Sequence, residues 1–221
     1  MGDPARKADL FDALARTGKA LASGKRLELL DLLAQGERSV DSLAKAAGLG
    51  LTTTSAHLQA LRQAGLVATR RDGVRVYYRL AGDDVAALYT LLQQVARTHL
   101  AATERARTAY LGPEDTEHLT RGELLDRVKA GTATVIDVRP VEEYTAGHIP
   151  GALSIPLDQL EARLAEIPTG TEVVAYCRGA NCVFAHDAVR LLTARGRTAR
   201  RLVDGMLEWR LADLPVAADA A

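Results

Sequence analysis

The fold of this chain is constrained most strongly at residues 173–192, where a loop bounded by two cysteines joins an apolar run to an amphipathic segment. Residues 173–176 are typical of a buried strand, and residues 183–192 carry apolar side chains at helical spacing. Cys177 is therefore predicted at a strand end, in a loop that opens a helix, where backbone N–H groups and the helix dipole favour a thiolate. Because Cys177 and Cys182 are the only cysteines of the chain, this loop is predicted to be a reactive-sulfur site.

Composition indicates an ordinary globular protein. Of the 221 residues, 48% are hydrophobic and 25% are charged, and no apolar run approaches the roughly 20 residues that span a bilayer. Residues 1–7 lack the apolar core of a signal peptide, so we expect a cytoplasmic protein with no membrane partner. Two cysteines in one loop are not the disulfide framework of a secreted domain, and in a reducing cytosol they would be catalytic or redox-active.

The formal net charge of zero hides an asymmetry between the two halves of the chain. Residues 1–107 carry 16 Lys and Arg against 11 Asp and Glu, whereas residues 108–221 carry 12 against 17. A basic front half suggests nucleic-acid binding, although two differently charged solvated surfaces would give the same count.

Helix and turn signals in the front half predict a winged helix-turn-helix. Residues 25–33 have the apolar spacing of an amphipathic helix, a short helix capped by Ser39 ends at Gly48, and a third helix covers about residues 51–64. An Asp-Gly pair at 72–73 between two β-rich runs then predicts a hairpin. Residues 62–79 contain five arginines and only one acidic residue, Asp72, and this excess of positive charge suits contacts with phosphates. The arginines are Arg62, Arg70, Arg71, Arg75 and Arg79.

Over roughly residues 10–107 the chain resembles the ArsR/SmtB family of dimeric repressors. The runs 26–30 and 55–67 and the wing through 77–80 carry the resemblance. It implies double-stranded operator DNA as a partner, wing arginines on the backbone or minor groove, and major-groove contacts from one helix. The residues so implied are Thr52, Thr53, Ser55, Ala56 and Gln59. Because relatives often carry a polar residue where this chain has Ala56, the base preference of those relatives does not transfer to this chain. His57 is interpreted as a helix-packing residue.

A helix from Asp83 to about Ala109 is predicted after the wing, with an apolar seam along one side. By the resemblance this helix forms the interface of a homodimer, which Leu10, Leu14 and Leu21 of the first helix could join. The seam consists of Val85, Leu88, Leu92, Val95 and His99. Metal-sensing relatives carry cysteines before the recognition helices or Asp/His clusters on the dimer helix, and this chain has neither, so we expect no metal and no cofactor.

The second half alternates strands with helices, which predicts a parallel sheet with flanking helices and ligands at the carboxyl ends of the strands. A Gly-Pro break places the linker at residues 110–117, after a first domain at 1–109 and before a second at 118–217, with a tail at 218–221. The predicted elements of the second domain are a helix capped by Thr120 and Glu123, a strand at 134–139, a helix at 157–167, the strand before Cys177 and a strand at 199–203.

About residues 117–217 resemble a rhodanese domain. Three motifs carry the resemblance. The first comprises residues 136–140, 142–144 and 147–152, the second is the cysteine loop, and the third comprises residues 204–209 and 214–216. The expected molecule is therefore multidomain, a mainly α winged helix-turn-helix followed by an α/β rhodanese-like domain.

The rhodanese resemblance implies that Cys177 accepts sulfane sulfur and carries it as a persulfide in a cradle of loop amides. Asp137 and Arg139 are expected to orient the loop, His148 to hold a turn, and Tyr144 and Trp209 to belong to the core. The loop residues so implied are Arg178, Gly179, Ala180, Asn181 and Val183.

The loop departs from the common rhodanese pattern at Cys182, where many active members carry arginine. The loss of that cation weakens the case for a dianion such as thiosulfate, although Arg178 could partly replace it, and the absence of arginine at Val183 excludes a cysteine-dependent phosphatase. Cys182 could attack a persulfide on Cys177, giving a disulfide and sulfide, or the pair could trap a longer sulfur bridge. Alternatively, Cys182 is simply a small buried apolar residue.

Together the two halves predict a transcriptional regulator, a repressor by the habit of the family, that senses reactive sulfur. The donor would be a persulfide, a polysulfide or thiosulfate. One alternative is an active sulfurtransferase that passes sulfane sulfur to a thiol or cyanide, tethered to an independently acting winged helix. Another is an inert cysteine loop beside a front half that answers to a different ligand.

Overall fold

The computed structural model describes residues 3–218, and the chain divides into two compact units, Met1–Tyr89 and Thr90–Ala221. Residues 219–221 of the predicted tail, and the first two residues of the chain, lie outside the described part. Within residues 3–218, no helix is long and apolar enough to cross a membrane. The linker proposed at 110–117 stays a prediction.

The first unit is mainly helical and contains a small antiparallel sheet with strand order β1-β3-β2. Its elements are α1 (Pro4–Leu21), α2 (Gly24–Leu33), β1 (Arg38–Ser39), α3 (Val40–Ala47), α4 (Leu51–Gln63), β2 (Val67–Asp72) and β3 (Arg75–Leu80).

Helices α2, α3 and α4 pack around a leucine core. The Ser39 hydroxyl accepts a hydrogen bond from the Ser42 backbone N–H at 3.2 Å and begins α3, while Gly48, with φ of 61°, ends it in the left-handed conformation. The predicted helix-turn-helix is therefore confirmed. Its fully buried side chains include Leu29, Leu30, Leu43, Leu58 and Leu61.

Strands β2 and β3 form the predicted wing. Val67 pairs with Leu80 and Asp72 pairs with Arg75, which leaves a two-residue turn in which Gly73 has φ of 56°. Such a turn needs a positive φ, which glycine adopts without steric cost.

The chain continues through α5 (Asp83–His99) and α6 (Ala101–Leu111). The prediction of one continuous helix from Asp83 to about Ala109 is wrong at Leu100, whose backbone is extended with φ of −118° and ψ of 98°. The Leu100 carbonyl instead accepts the N–H of Thr103 and so begins α6. Since neither glycine nor proline marks this break, helical spacing alone does not reveal it.

The second unit contains a five-stranded sheet with strand order β4-β8-β7-β5-β6, in which every neighbouring pair is parallel. Its elements are β4 (His118–Leu119), α7 (Arg121–Lys129), β5 (Ala133–Asp137), α8 (Val141–Ala146), β6 (Leu153–Ser154), β7 (Glu172–Tyr176), α9 (Val183–Ala194), β8 (Ala199–Leu202) and α10 (Met206–Leu211). This is the predicted α/β domain.

Side chains that alternate along the strands feed two apolar clusters, as expected for a sheet covered on both faces. One cluster joins Val173 and Ala175 of β7 to α9, and the other joins Val174 and Tyr176 to α7 and α10. Cys177 belongs to the α9 cluster, so the candidate site grows directly out of the core.

The helix predicted at 157–167 is absent. Its place is taken by two short 3₁₀ turns, Leu157–Gln159 and Leu164–Glu166. Their backbone hydrogen bonds span three residues, as in Leu160 N–H to Leu157 C=O. Apolar residues three or four apart face the core in either kind of turn, so their spacing does not distinguish the two.

Candidate functional site

The two cysteines lie together at the carboxyl end of the central strand β7. Cys177 follows β7 directly and is 1% exposed, while Cys182 is half-buried and is the N-cap residue of α9. The two residues are disulfide-bonded, with a Cα–Cα distance of 6.2 Å. The strand, loop and helix predicted around them are present, and the loop lies where open parallel sheets bind ligands.

The cysteine loop is held against the start of α10 by main-chain hydrogen bonds. The Met206 N–H donates to the Cys177 carbonyl at 2.9 Å, and the Leu207 N–H donates to the Arg178 carbonyl at 2.9 Å. A Cβ at Gly205 would lie 2.3 Å from the backbone nitrogen of Gly179. Position 205 therefore accepts only glycine while the loop keeps this path.

Glu208 is a site residue that our reading of the sequence missed. Its carboxylate accepts hydrogen bonds from the backbone N–H of Gly205 at 2.9 Å and of Ala180 at 3.3 Å. Burial raises the pKa of Glu208. The Ala180 N–H, which the rhodanese resemblance assigns to the anion cradle, therefore donates to the Glu208 carboxylate. A glutamate three residues after Gly205 is a helix-capping signal that could have drawn attention to it.

Arg178 is paired with a buried carboxylate. Its Nη2 donates to Glu143 at 2.7 Å and its Nε at 3.0 Å, and Glu143 is 1% exposed. The guanidinium also lies 5.3 Å from the ring centroid of Phe184. The negative charge of Glu143 therefore neutralises the positive charge that Arg178 brings to the loop.

Asp137 and Arg139 form a buried ion pair that reaches the loop through Tyr176. Arg139 donates to Asp137 at 2.9 Å and to the Gly147 carbonyl at 2.9 Å. The Tyr176 hydroxyl donates to Asp137 at 2.5 Å and accepts from the Ile149 N–H. Burial and the Asp137 carboxylate raise the pKa of Tyr176, which keeps its hydroxyl protonated. The network anchors the residue that precedes Cys177.

The neighbouring turn is held by aromatic contacts. His148 Nδ1 lies 3.0 Å from the Tyr144 carbonyl, and its ring stacks on that of Tyr144 with the centroids 3.7 Å apart. Trp209 is 1% exposed and donates to the Pro215 carbonyl. A cavity lies behind the cysteine loop, and Tyr144, His148 and Trp209 are not among the residues that line it.

The remaining loop residues close the space around the disulfide. The Cys182 N–H donates to the Gly179 carbonyl at 3.0 Å, and Val183 begins α9. Asn181 donates to the Oε1 atom of Gln93, a residue of the same unit, at 2.8 Å. Behind the loop is a narrow cavity lined by residues that include both cysteines, His186 and Arg201.

In the first unit, the predicted DNA-contacting residues of α4 differ in exposure. Thr52, Thr53 and Ala56 are exposed, whereas Ser55 is half-buried. The half-buried Gln59 donates to the Tyr78 hydroxyl at 3.0 Å and so ties α4 to the wing.

The wing arginines also differ in their surroundings. Arg70 makes a two-pronged contact with Glu37, with Nη2 and Nε at 2.7 and 2.9 Å from its carboxylate. That hydrogen bonding raises the pKa of Arg70. Glu37 lies 33 residues before Arg70, far outside the arginine-rich stretch at residues 62–79, so the sequence did not reveal this pair. Arg71, Arg75 and Arg79 of the wing are exposed, as is Arg62 of α4.

The residues of the predicted α5 seam differ in exposure. Val85 is 7% exposed and lies on the side of α5 that also buries Ala86 and Tyr89. Leu88, Val95 and His99 are exposed, Leu92 is half-buried, and Leu91, which the seam omitted, is 55% exposed. On α1, Leu10 and Leu14 are exposed and Leu21 is half-buried.

No group of three or more His, Cys, Asp or Glu residues within residues 3–218 is arranged to hold a metal ion.

Comparison with known proteins agrees with this two-part organisation. Residues 23–69 match the bacterial regulatory protein arsR family, and residues 120–212 match the rhodanese-like domain. The HTH-type transcriptional regulator Rv0324 of Mycobacterium tuberculosis is 59% identical over 216 residues, which cover 97% of this chain and 95% of that protein.

Two further relatives match the front half. The HTH-type transcriptional regulator Rv0081 of M. tuberculosis is 39% identical over 103 residues, or 46% of this chain and 87% of its own length. A solution structure of a homodimeric winged helix-turn-helix DNA-binding domain from Mycobacterium bovis, residues 1–100 of a possible ArsR-family regulator, is 59% identical and covers 46% of this chain and 94% of that one, with a TM-score of 0.43. From its full-length similarity to Rv0324 and its two domain matches, the chain belongs to the ArsR family of HTH-type transcriptional regulators and carries a rhodanese-like domain after its winged helix-turn-helix.

Proposed function

We propose that this regulator senses reactive sulfur species at Cys177 and Cys182, and that the sulfur state of this pair sets its affinity for operator DNA. The observation that carries the proposal is the placement of the only two cysteines of the chain within bonding distance at the start of α9. A helix N-terminus favours a thiolate, which is the reactive form of cysteine.

The proposed chemistry has two steps. The Cys177 thiolate first attacks the outer sulfur of a low-molecular-weight persulfide, which becomes bonded to Cys177 while a thiol leaves. The Cys182 thiolate then attacks Cys177 Sγ, the bond from Sγ to the outer sulfur breaks, and that sulfur leaves as hydrosulfide. The two cysteines are oxidised to a disulfide, and the sulfane sulfur is reduced to sulfide, so no other oxidant is needed.

The charges around the loop favour a singly charged persulfide over a dianion such as thiosulfate as the donor. Arg178 is matched by Glu143, and the Glu208 carboxyl group occupies the Ala180 amide. A dianion would meet these acidic groups at close range and would have to compete with them for the same donors. Persulfide sulfur carries at most a single charge and is recognised by covalent exchange with the thiolate.

The DNA-binding part of the proposal rests on α4 and the wing. We propose a homodimer in which two copies of α4 enter successive major grooves and the exposed wing arginines contact phosphates. Oxidation of the cysteine pair would release DNA, as in a repressor that is relieved by its signal. A hundredfold change in DNA affinity corresponds to about 2.7 kcal/mol of coupling, which is typical of allosteric proteins.

Mass spectrometry of the full chain treated with a low-molecular-weight persulfide tests the chemistry. We expect the wild type to form the disulfide and release one equivalent of sulfide, whereas Cys182→Ser stops with one sulfur atom added at Cys177. As the matched control, Cys177→Ser should do neither. A wild-type protein that keeps the added sulfur, or passes it repeatedly to cyanide, would contradict the sensor chemistry and favour a sulfurtransferase.

A further inference from the structure

The cavity behind the cysteine loop is enclosed by three parts of the second unit. Its walls include Cys177 and Cys182 of the loop, His186 of α9 and Arg201 of β8. The cavity is too narrow to hold a water molecule. A buried polar group on its walls therefore has to find its hydrogen-bond partners among protein atoms.

His186 is a buried polar residue with an unused hydrogen-bonding atom. It is 2% exposed, and its Nδ1 atom has no hydrogen-bond partner among residues 3–218. His186 follows Cys182 by four residues, or about one helical turn. Since buried polar atoms are nearly always paired, this orphaned nitrogen calls for an explanation.

Burial and nearby arginines keep the imidazole of His186 neutral. The charged groups that face it are Arg201 on β8, Arg190 on α9, Arg107 on α6, and Glu114 and Asp115 in the segment between α6 and β4. Burial, followed by the charges of Arg201 and Arg190, lowers the pKa of His186 to about 4. A neutral imidazole always keeps one ring nitrogen as a hydrogen-bond acceptor.

We propose that His186 is a positioning residue for the cysteine pair, with Nδ1 accepting a hydrogen bond from the Cys182 thiol whenever the pair is reduced. The inference rests on the proposed function, in that it takes the dithiol and the disulfide as the two working states. A disulfide has no S–H group to donate, so the state with the disulfide leaves Nδ1 without a partner, as the structure shows.

This arrangement favours the dithiol over the disulfide. When dithiothreitol reduces the protein, its two thiols give up two electrons and two protons and become a cyclic disulfide, while Cys177 and Cys182 each gain an S–H group. The hydrogen bond to His186 exists only on the reduced side of this equilibrium. A single hydrogen bond is worth about a three- to tenfold change in such an equilibrium. His186 thereby keeps the pair in the form that reacts with persulfide.

The thiol–disulfide equilibrium of the full chain in dithiothreitol redox buffers tests the proposal. We expect His186→Phe, which keeps a ring and removes both nitrogens, to shift the equilibrium three- to tenfold toward the disulfide. His186→Gln retains an acceptor and should stay within twofold of wild type. The matched control is His118→Phe, the same substitution at an exposed residue of β4.

A folded His186→Phe protein with the wild-type equilibrium would overturn the proposal. If His186→Phe does not fold, ¹⁵N NMR of the wild-type imidazole decides the question. Reduction should then shift the Nδ1 signal, and identical spectra for the two redox forms would overturn the role of His186. Failure of the proposed function looks different, because in that case wild type forms no disulfide when persulfide is added, whatever its equilibrium in dithiothreitol.

Discussion

Cys182 occupies the N-cap position of α9 and forms the disulfide with Cys177. Its partner Cys177 is fixed by main-chain hydrogen bonds to the start of α10 and by the buried Tyr176 network. These contacts hold the strand end that carries Cys177 next to the start of α9. This placement suits the proposed step, in which the Cys182 thiolate attacks Sγ of a persulfidated Cys177.

The lowered pKa of His186 is expected to make the stability of the second unit depend on pH. Its pKa is about 4 in the folded chain and about 6.5 when unfolded, so between these values the unfolded chain binds more protons. Stability should therefore fall as the pH drops from about 6.5 to about 4, by an amount on the order of 2 kcal/mol. Denaturant unfolding followed by the fluorescence of Trp209, the single tryptophan of the chain, measures this loss.

The control for this pH dependence is His186→Gln, which cannot titrate. The loss between pH 6.5 and 4 should shrink in that variant by the part due to His186. An equal loss in wild type and His186→Gln would assign the effect to other groups.

Local motifs made some site residues predictable from the sequence and left others hidden. Cys177 and Cys182 stand in one short loop, and Asp137 with Arg139 stands in one motif. Glu208 and His186 acquire their roles only when α10 and α9 pack beside the loop, so no spacing in the sequence reveals which group each one faces. The pairing of Arg70 with Glu37, 33 residues away, is hidden for the same reason.

At the scale of elements, α5 and α1 present apolar side chains that the described part of the chain does not cover. Leu88, Leu91 and Val95 are 39, 55 and 48% exposed on α5, and Leu10 and Leu14 are 57 and 62% exposed on α1. A helix that exposes several large apolar side chains commonly marks an interface. The exposure on each helix supports the proposed homodimer, and Leu91 joins the residues proposed for its seam.

Substitution of this seam should weaken the dimer. We expect Leu91→Glu to raise the dimer dissociation constant at least tenfold, because it places a charge in a contact that excludes water. Sedimentation equilibrium of the full chain measures the change. Val128→Glu, the same kind of substitution at a residue of α7 that is 41% exposed, is the control. Equal dimer affinity in wild type and Leu91→Glu would remove α5 from the interface.

Elements with strong end signals were predictable, and those defined by tertiary partners were not. Ser39 and Gly48 bound α3, and Asp72 with Gly73 marks the wing. The break at Leu100 has no glycine or proline, so the apolar spacing runs through it. Two-residue strands such as His118–Leu119 exist only because β8 lies alongside, and nothing in so short a segment signals a strand.

At the scale of the whole molecule, one chain joins an ArsR-family winged helix-turn-helix to a rhodanese-like domain. The full-length relative Rv0324 has the same extent, so the pairing of the two parts is shared with at least one other regulator. The sulfur chemistry proposed for the rhodanese-like domain would give the DNA-binding part a chemical input. We propose that the redox state of Cys177 and Cys182 controls the affinity of the winged helix-turn-helix for DNA.

The affinity of the full chain for the DNA upstream of its own gene tests this link between the cysteine pair and DNA binding. Binding is compared for reduced wild type, persulfide-treated wild type and Cys177→Ser with and without persulfide, all at one salt concentration because phosphate contacts make affinity depend on salt. We predict that persulfide weakens wild-type binding at least tenfold and leaves Cys177→Ser unchanged. Equally tight binding in all four samples would show that the cysteine pair does not control DNA binding.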